Sequence, residues 1–159
     1  MSVHYLPRRP PESLHRDIRG LSHHFTRWAG ARTDTPPIVL LHGFMDCGAT
    51  FQFVADEIDP QRSLVAPDWR GFGRSGWNAQ GYWFPDYFAD LDGMLDWLAP
   101  GIPVDLVGHS MGGMISRTLM TDSGMALWDA TYDKPPLEMP FSPETRQIMT
   151  ESLIFEHRP

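Results

Sequence analysis

Five residues, Gly108-His109-Ser110-Met111-Gly112, place a hydroxyl between two glycines, with Gly113 one step behind. That spacing suits a nucleophile for acyl transfer. A serine on a sharp strand-to-helix turn has its hydroxyl lifted above the sheet edge, and its close neighbours have no room for large side chains. The helix that follows supplies backbone amides and the positive end of a dipole, which favour developing negative charge. Ser110 is therefore the candidate nucleophile, and the amide after it, on Met111, is one candidate oxyanion donor. A second donor has to come from the loop after an earlier central strand. The run "LLHGFMD" (40–46) is placed for this, with the Phe44 amide as donor and Gly43 letting the backbone approach closely.

The elements that must position these groups follow from hydrophobic patterning. "IVLLHG", "RSLVAPDWRG" and "PVDLVG" each hold a short continuous apolar run, which predicts strands buried on both faces. "GATFQFVADEID", "WFPDYFADLDGMLDWLA" and "SMGGMISRTLM" follow them in turn as helix patterns. In the second of these helices Phe84, Tyr87, Phe88, Leu91, Leu95 and Leu98 fall at helical spacing, and its Asp-rich face is expected to be solvated. Alternating strands and helices predict an α/β fold with a mostly parallel sheet and flanking helices. Ligand sites in such sheets lie beyond the carboxyl ends of the strands. His42-Gly43, Arg70-Gly71 and Gly108 to Gly113 all fall there.

Ahead of this core, Arg16 to Trp28 predicts two short strands around a turn. His23 and His24 are neighbours on a strand and point to opposite faces, so they do not share a metal ion. Residues 1–15 read as a proline-rich flexible arm, 16–120 as the core, and 121–159 as an atypical, mainly helical or irregular segment. In that last segment Ser142 is a candidate helix cap with Pro143 in the first turn, and the helix should run to about Leu153.

"LLHGFMDCGATFQFVADEI", "LVAPDWRGFGRSGW" and "VDLVGHSMGG" together resemble the α/β-hydrolase fold family, over roughly residues 18–120. They match its His-Gly oxyanion loop, its Asp-x-Arg-Gly-x-Gly-x-Ser loop (Asp68 to Ser75) and its nucleophile elbow, in order. The resemblance implies a serine hydrolase that works through an acyl-enzyme on an ester, thioester, lactone or similar small substrate, without metal or organic cofactor. A serine at the elbow, where the family's epoxide hydrolases and haloalkane dehalogenases carry aspartate, argues against those two chemistries. The resemblance makes His42 and His109 structural, and gives Asp68 and Arg70 the task of fixing their loop. Phe44, Trp69 and Trp83 either line an acyl pocket or pack as aromatic core.

The family's order is serine, acid, histidine. The one histidine after Ser110 is His157, followed only by Arg158 and Pro159, and it is the candidate general base. No acid among Asp122, Asp129, Asp133, Glu138, Glu144, Glu151 and Glu156 stands out. The tail does not resemble the family's lid and last strands. The chain therefore reads as apparently truncated or rearranged after the elbow, as completed by another chain, or as a catalytically silent relative acting as a binding or assembly module. Missing strands would leave an open sheet edge with exposed apolar surface, and with it a possible oligomer.

Composition narrows the partners. A chain of 159 residues suits one domain, and a net charge of −7 gives no support to nucleic-acid binding. Cys47 is the single cysteine, so no intrachain disulfide forms. No signal-peptide core or membrane-length apolar run is present, and a cytoplasmic location is expected.

Overall fold

The computed structural model describes residues 5–32, 34–79, 81–120, 129 and 133–152. Two strands, β1 (Glu12–Ile18) and β2 (Leu21–Trp28), form a hairpin through Arg19 and Gly20, both with positive φ. β3 (Ile38–Leu41) follows, then a 3₁₀ turn over Gly48–Phe51 that leads into α1 (Gln52–Glu57). β4 (Leu64–Pro67), α2 (Phe84–Leu98), β5 (Asp105–Gly108) and α3 (Met111–Leu119) complete the core. Beyond them lie a 3₁₀ turn at Pro136–Glu138 and α4 (Pro143–Ser152), whose start is capped by Ser142 Oγ accepting from the Thr145 amide at 3.2 Å.

The sheet order is β1-β2-β4-β3-β5. β4, β3 and β5 pair in parallel, as the alternation of strands and helices predicts, and the hairpin joins β4 antiparallel through β2. The sheet is thus mixed, its antiparallel half coming from the hairpin. Its two faces bury different clusters. On one, Phe25, Val39, Leu41, Val65 and Trp69 meet Tyr87, Leu91 and Met94 of α2 and Met111 and Ile115 of α3. On the other, Trp28, Leu40, Leu64 and Ala66 pack against Ala55 of α1.

Three expectations need correction. The arm over 1–15 is too long, because β1 begins at Glu12 and Tyr5, Arg8 and Arg9 before it are hydrogen-bonded to the core. The Arg9 guanidinium is buried and donates to Trp28 O, Ala29 O and Arg62 O at 2.8–3.2 Å, while the amides of Arg8 and Arg9 and the Tyr5 hydroxyl converge on the Asp56 carboxylate. Carbonyls left unpaired at strand and helix ends need donors, and Arg9 supplies them.

β5 is not buried on both faces. Among the described residues it pairs with β3 alone, and Val107 is 46% exposed. A continuous apolar run fits a central strand, and here it ends the sheet.

The Asp-rich face of α2 is not solvated throughout. Asp90 is fully buried. A carboxylate there must be paired, and the bidentate contact from Arg70 supplies the partner.

Candidate active site

β5 ends at Gly108, and Ser110 caps α3 with φ 51° and ψ −116°. An L-residue in that region is strained by about 1–3 kcal/mol, and such strain persists only where the surroundings impose it. The surroundings here are tight. A Cβ on Gly112 would lie 2.2 Å from Leu41 O, so α3 approaches β3 at a distance only glycine permits. The His109 amide donates to the same Leu41 carbonyl at 2.9 Å, and this ties the elbow to the end of β3. Ser110 itself is exposed.

The loop after β3 faces the elbow. A Cβ on Gly43 would stand 3.2 Å from Ser110 Cβ and 3.0 Å from His109 Nδ1. Phe44 and Met45 continue as a turn, Met45 with φ 60°. The Met111 N–H is the first of α3 and has no intrahelical acceptor, whereas the Gly112 amide already donates to His109 O at 3.0 Å. Ser110 and both chain segments expected to offer oxyanion donors therefore meet at one corner of the sheet. The Phe44 side chain is 66% exposed and meets Phe72 edge-on, with ring centroids 5.4 Å apart.

His42 is fully buried and committed. Its Nδ1 donates to Gly43 O at 2.7 Å, and its Nε2 accepts from the Trp69 amide at 3.0 Å. Burial holds its pKa below the ordinary value. With both ring nitrogens engaged, His42 fixes the loop and has no free lone pair for a serine. Trp69 is fully buried, donates Nε1–H to His42 O at 2.9 Å and packs on Tyr87, so it belongs to the core. Trp83 is half exposed at the start of α2. His109 is exposed beside Gly43. His157 lies outside the described residues. Among the described residues no side chain hydrogen-bonds Ser110 Oγ.

Two buried carboxylates organise the loop after β4. Asp68 accepts from the amides of Gly48 (2.6 Å) and Arg74 (2.8 Å) and contacts His24 Nδ1 at 2.8 Å. Arg70 clamps Asp90 of α2 with two bonds, at 2.5 and 2.6 Å, and reaches Asp86 at 3.1 Å. Arg19 of the hairpin meets the same Asp90 at 3.0 Å. His23 stands 3.6 Å from Asp90 with neither ring nitrogen hydrogen-bonded, and burial lowers its pKa.

Sequence reasoning found Asp68 and Arg70 but missed Asp90. The signal was present. Asp90 lies three residues after Tyr87 and four before Met94, inside the apolar stripe. Among the described residues no group of three or more His, Cys, Asp or Glu is arranged to hold a metal ion, and no helix is long and apolar enough to cross a membrane.

Residues 36–122 match the family model described as alpha/beta hydrolase fold. Over 111 residues, covering 69% of this chain, the sequence is 34% identical to a 3-hydroxybutyrate-oligomer hydrolase of Cupriavidus necator. Among solved structures, a thioesterase domain from the curacin biosynthetic pathway matches 69% of the chain with a TM-score of 0.63 and 29% identity. A haloalkane dehalogenase DbeA loop variant from Bradyrhizobium elkanii matches the same share with a TM-score of 0.62 and 27% identity. The chain spans 35%, 39% and 35% of those three proteins, so it holds little more than a third of each. The match runs through β3, β4, β5 and the elbow, the elements that build the corner around Ser110, and the chain belongs to the alpha/beta hydrolase fold family.

Proposed function

We propose that the protein is a serine hydrolase in which Ser110 attacks the carbonyl carbon of an ester, thioester or lactone. The hydroxyl proton passes to an imidazole, for which His157 is the candidate. The carbonyl oxygen becomes an oxyanion and takes hydrogen bonds from the Phe44 and Met111 amides. Collapse expels the leaving group with the proton and leaves an acyl group on Ser110. Water, deprotonated by the same imidazole, then releases the acid.

The observation that carries this reading is the backbone of Ser110. A non-glycine residue at φ 51° and ψ −116°, set against Gly43 at the start of a helix held to β3 through Gly112, is costly for a turn that does no chemistry. The relatives support an acyl substrate: one is named for hydrolysing 3-hydroxybutyrate oligomers, and one solved structure is a thioesterase domain. Steady-state hydrolysis of a short p-nitrophenyl ester, wild type against Ser110→Ala, tests it. Turnover should fall by about 10⁶ if an intact triad operates. Equal rates would overturn the reading.

A second reading is a binding or assembly module that retains the elbow without its chemistry. It is favoured by one observation: among the described residues no base contacts Ser110. Ester turnover far above that of Ser110→Ala would remove it.

A further inference from the structure

A second serine in this chain has partners of a kind that no described residue gives Ser110. Ser13 Oγ lies 2.8 Å from His24 Nε2, and His24 Nδ1 lies 2.8 Å from Asp68 Oδ2. The polarity of this chain is fixed by its inner end. Asp68 already accepts two backbone amides, and an ionised carboxylate has no proton to give, so His24 Nδ1 carries the hydrogen. In the neutral form of the ring Nε2 is then the lone pair, and the Ser13 hydroxyl donates to it.

The burial gradient matches that order. Asp68 and His24 are buried, whereas Ser13 is exposed. The strands enforce the geometry. Ser13 is paired with Thr26 and His15 with His24, so Ser13 and His24 are diagonal neighbours on one face of the hairpin. His15 is exposed on the same face, with its ring centroid 5.0 Å from that of His24. The Ser75 hydroxyl accepts the His24 amide at 2.9 Å, which holds the backbone of the histidine in place. A shallow depression lined by His15, Arg16 and Asp17 lies two residues along β1. β1 is a sheet edge among the described residues, so alternate amides on its outer side are free to donate.

We propose that Ser13 is a second activated nucleophile, with His24 as its base and Asp68 as the group that orients the base, and that it takes an acyl group from small activated esters. Ser13 Oγ forms the bond to the carbonyl carbon and its proton moves to His24 Nε2. The tetrahedral adduct breaks its bond to the leaving oxygen, which departs with that proton. Ser13 is left as an ester, His24 is again neutral, and Asp68 stays ionised throughout. The proposal is independent of the reading at Ser110.

The test is incubation of the folded Ser110→Ala chain with p-nitrophenyl acetate, with each acetylated peptide followed by mass spectrometry. Ser22, exposed on β2, is the internal reference. General-base assistance contributes about 10²–10⁴, so Ser13 should acetylate at least about 100-fold faster than Ser22. His24→Gln should remove that advantage. Equal rates at Ser13 and Ser22, or a Ser13 rate unchanged in a folded His24→Gln chain, would overturn the proposal. If His24→Gln does not fold, the Ser13 to Ser22 ratio in the Ser110→Ala chain decides alone. Acetyl found on Ser110 of the wild type but never on Ser13 would overturn this proposal and leave the reading at Ser110 standing.

Discussion

Gly112 of α3 stands against the carbonyl of Leu41 at the end of β3, so closely that an added methyl carbon would lie 2.2 Å from the oxygen. The contact seats the turn that carries Ser110 on the strand whose loop faces it. Gly112→Ala must push the helix off the strand. Overpacking of this kind costs about 1–3 kcal/mol, and urea denaturation should show a loss in that range. The displacement also moves Ser110 away from Gly43, so esterase activity should fall by more than the stability loss explains.

The buried Asp90 pairs with the buried guanidinium of Arg70 and with the partly exposed one of Arg19. Asp90→Asn keeps the shape and removes the charge, which leaves the buried Arg70 with only the more distant Asp86 carboxylate as counter-ion. Breaking a buried pair in this way costs about 3–5 kcal/mol. Thermal melting of the variant at neutral pH should show a large drop, and a drop no larger than that of a surface substitution would contradict the role assigned to the pair.

Acid sensitivity follows from His23 and His42, both held below the ordinary histidine value by burial. In the unfolded chain they protonate near pH 6.5, and in the folded chain at lower pH. Between those values the unfolded state binds more protons, so stability is present above about pH 6.5 and is lost as the pH falls. Each group contributes a slope of up to about 1.4 kcal/mol per pH unit in that window. The neighbouring Asp90 opposes the shift at His23, and burial outweighs it. Neither ring nitrogen of His23 is hydrogen-bonded, so His23→Leu should retain neutral-pH stability and flatten part of the slope between pH 6.5 and 5. Urea midpoints across that range measure it.

Val107 sits half exposed on β5, and Met114 and Ile102 are exposed as well. Among the described residues β5 pairs with β3 alone, and an apolar strand at a sheet edge pairs readily with another chain. Sedimentation of the isolated chain should show association that rises with concentration, and Val107→Lys should reduce it. A monomer at all concentrations would contradict this.

The strands, helices and elbow were legible in the sequence because each is a local pattern: a short apolar run, a 3.6-residue stripe, a glycine pair around a serine. Asp90 and His24 were not, because their roles depend on pairings remote in sequence. Asp90 meets Arg70 across 20 residues and Arg19 across 71, and His24 meets Asp68 across 44. The position of β5 was also hidden. Its apolar run states that the strand suits burial, and says nothing about which neighbours are present to bury it. Arg9 looked like part of a solvated tail for the same reason, since its carbonyl partners come from three distant segments.

The central claim is that Ser110 is an activated nucleophile. Its most direct test is reaction of the purified chain with a fluorophosphonate, with intact mass and the modified peptide determined, and Ser110→Ala and a competent serine hydrolase as controls. A single adduct on the peptide carrying Ser110, absent from Ser110→Ala, is the expected result. A folded chain in which Ser110 stays unmodified while the control enzyme reacts fully would contradict the claim.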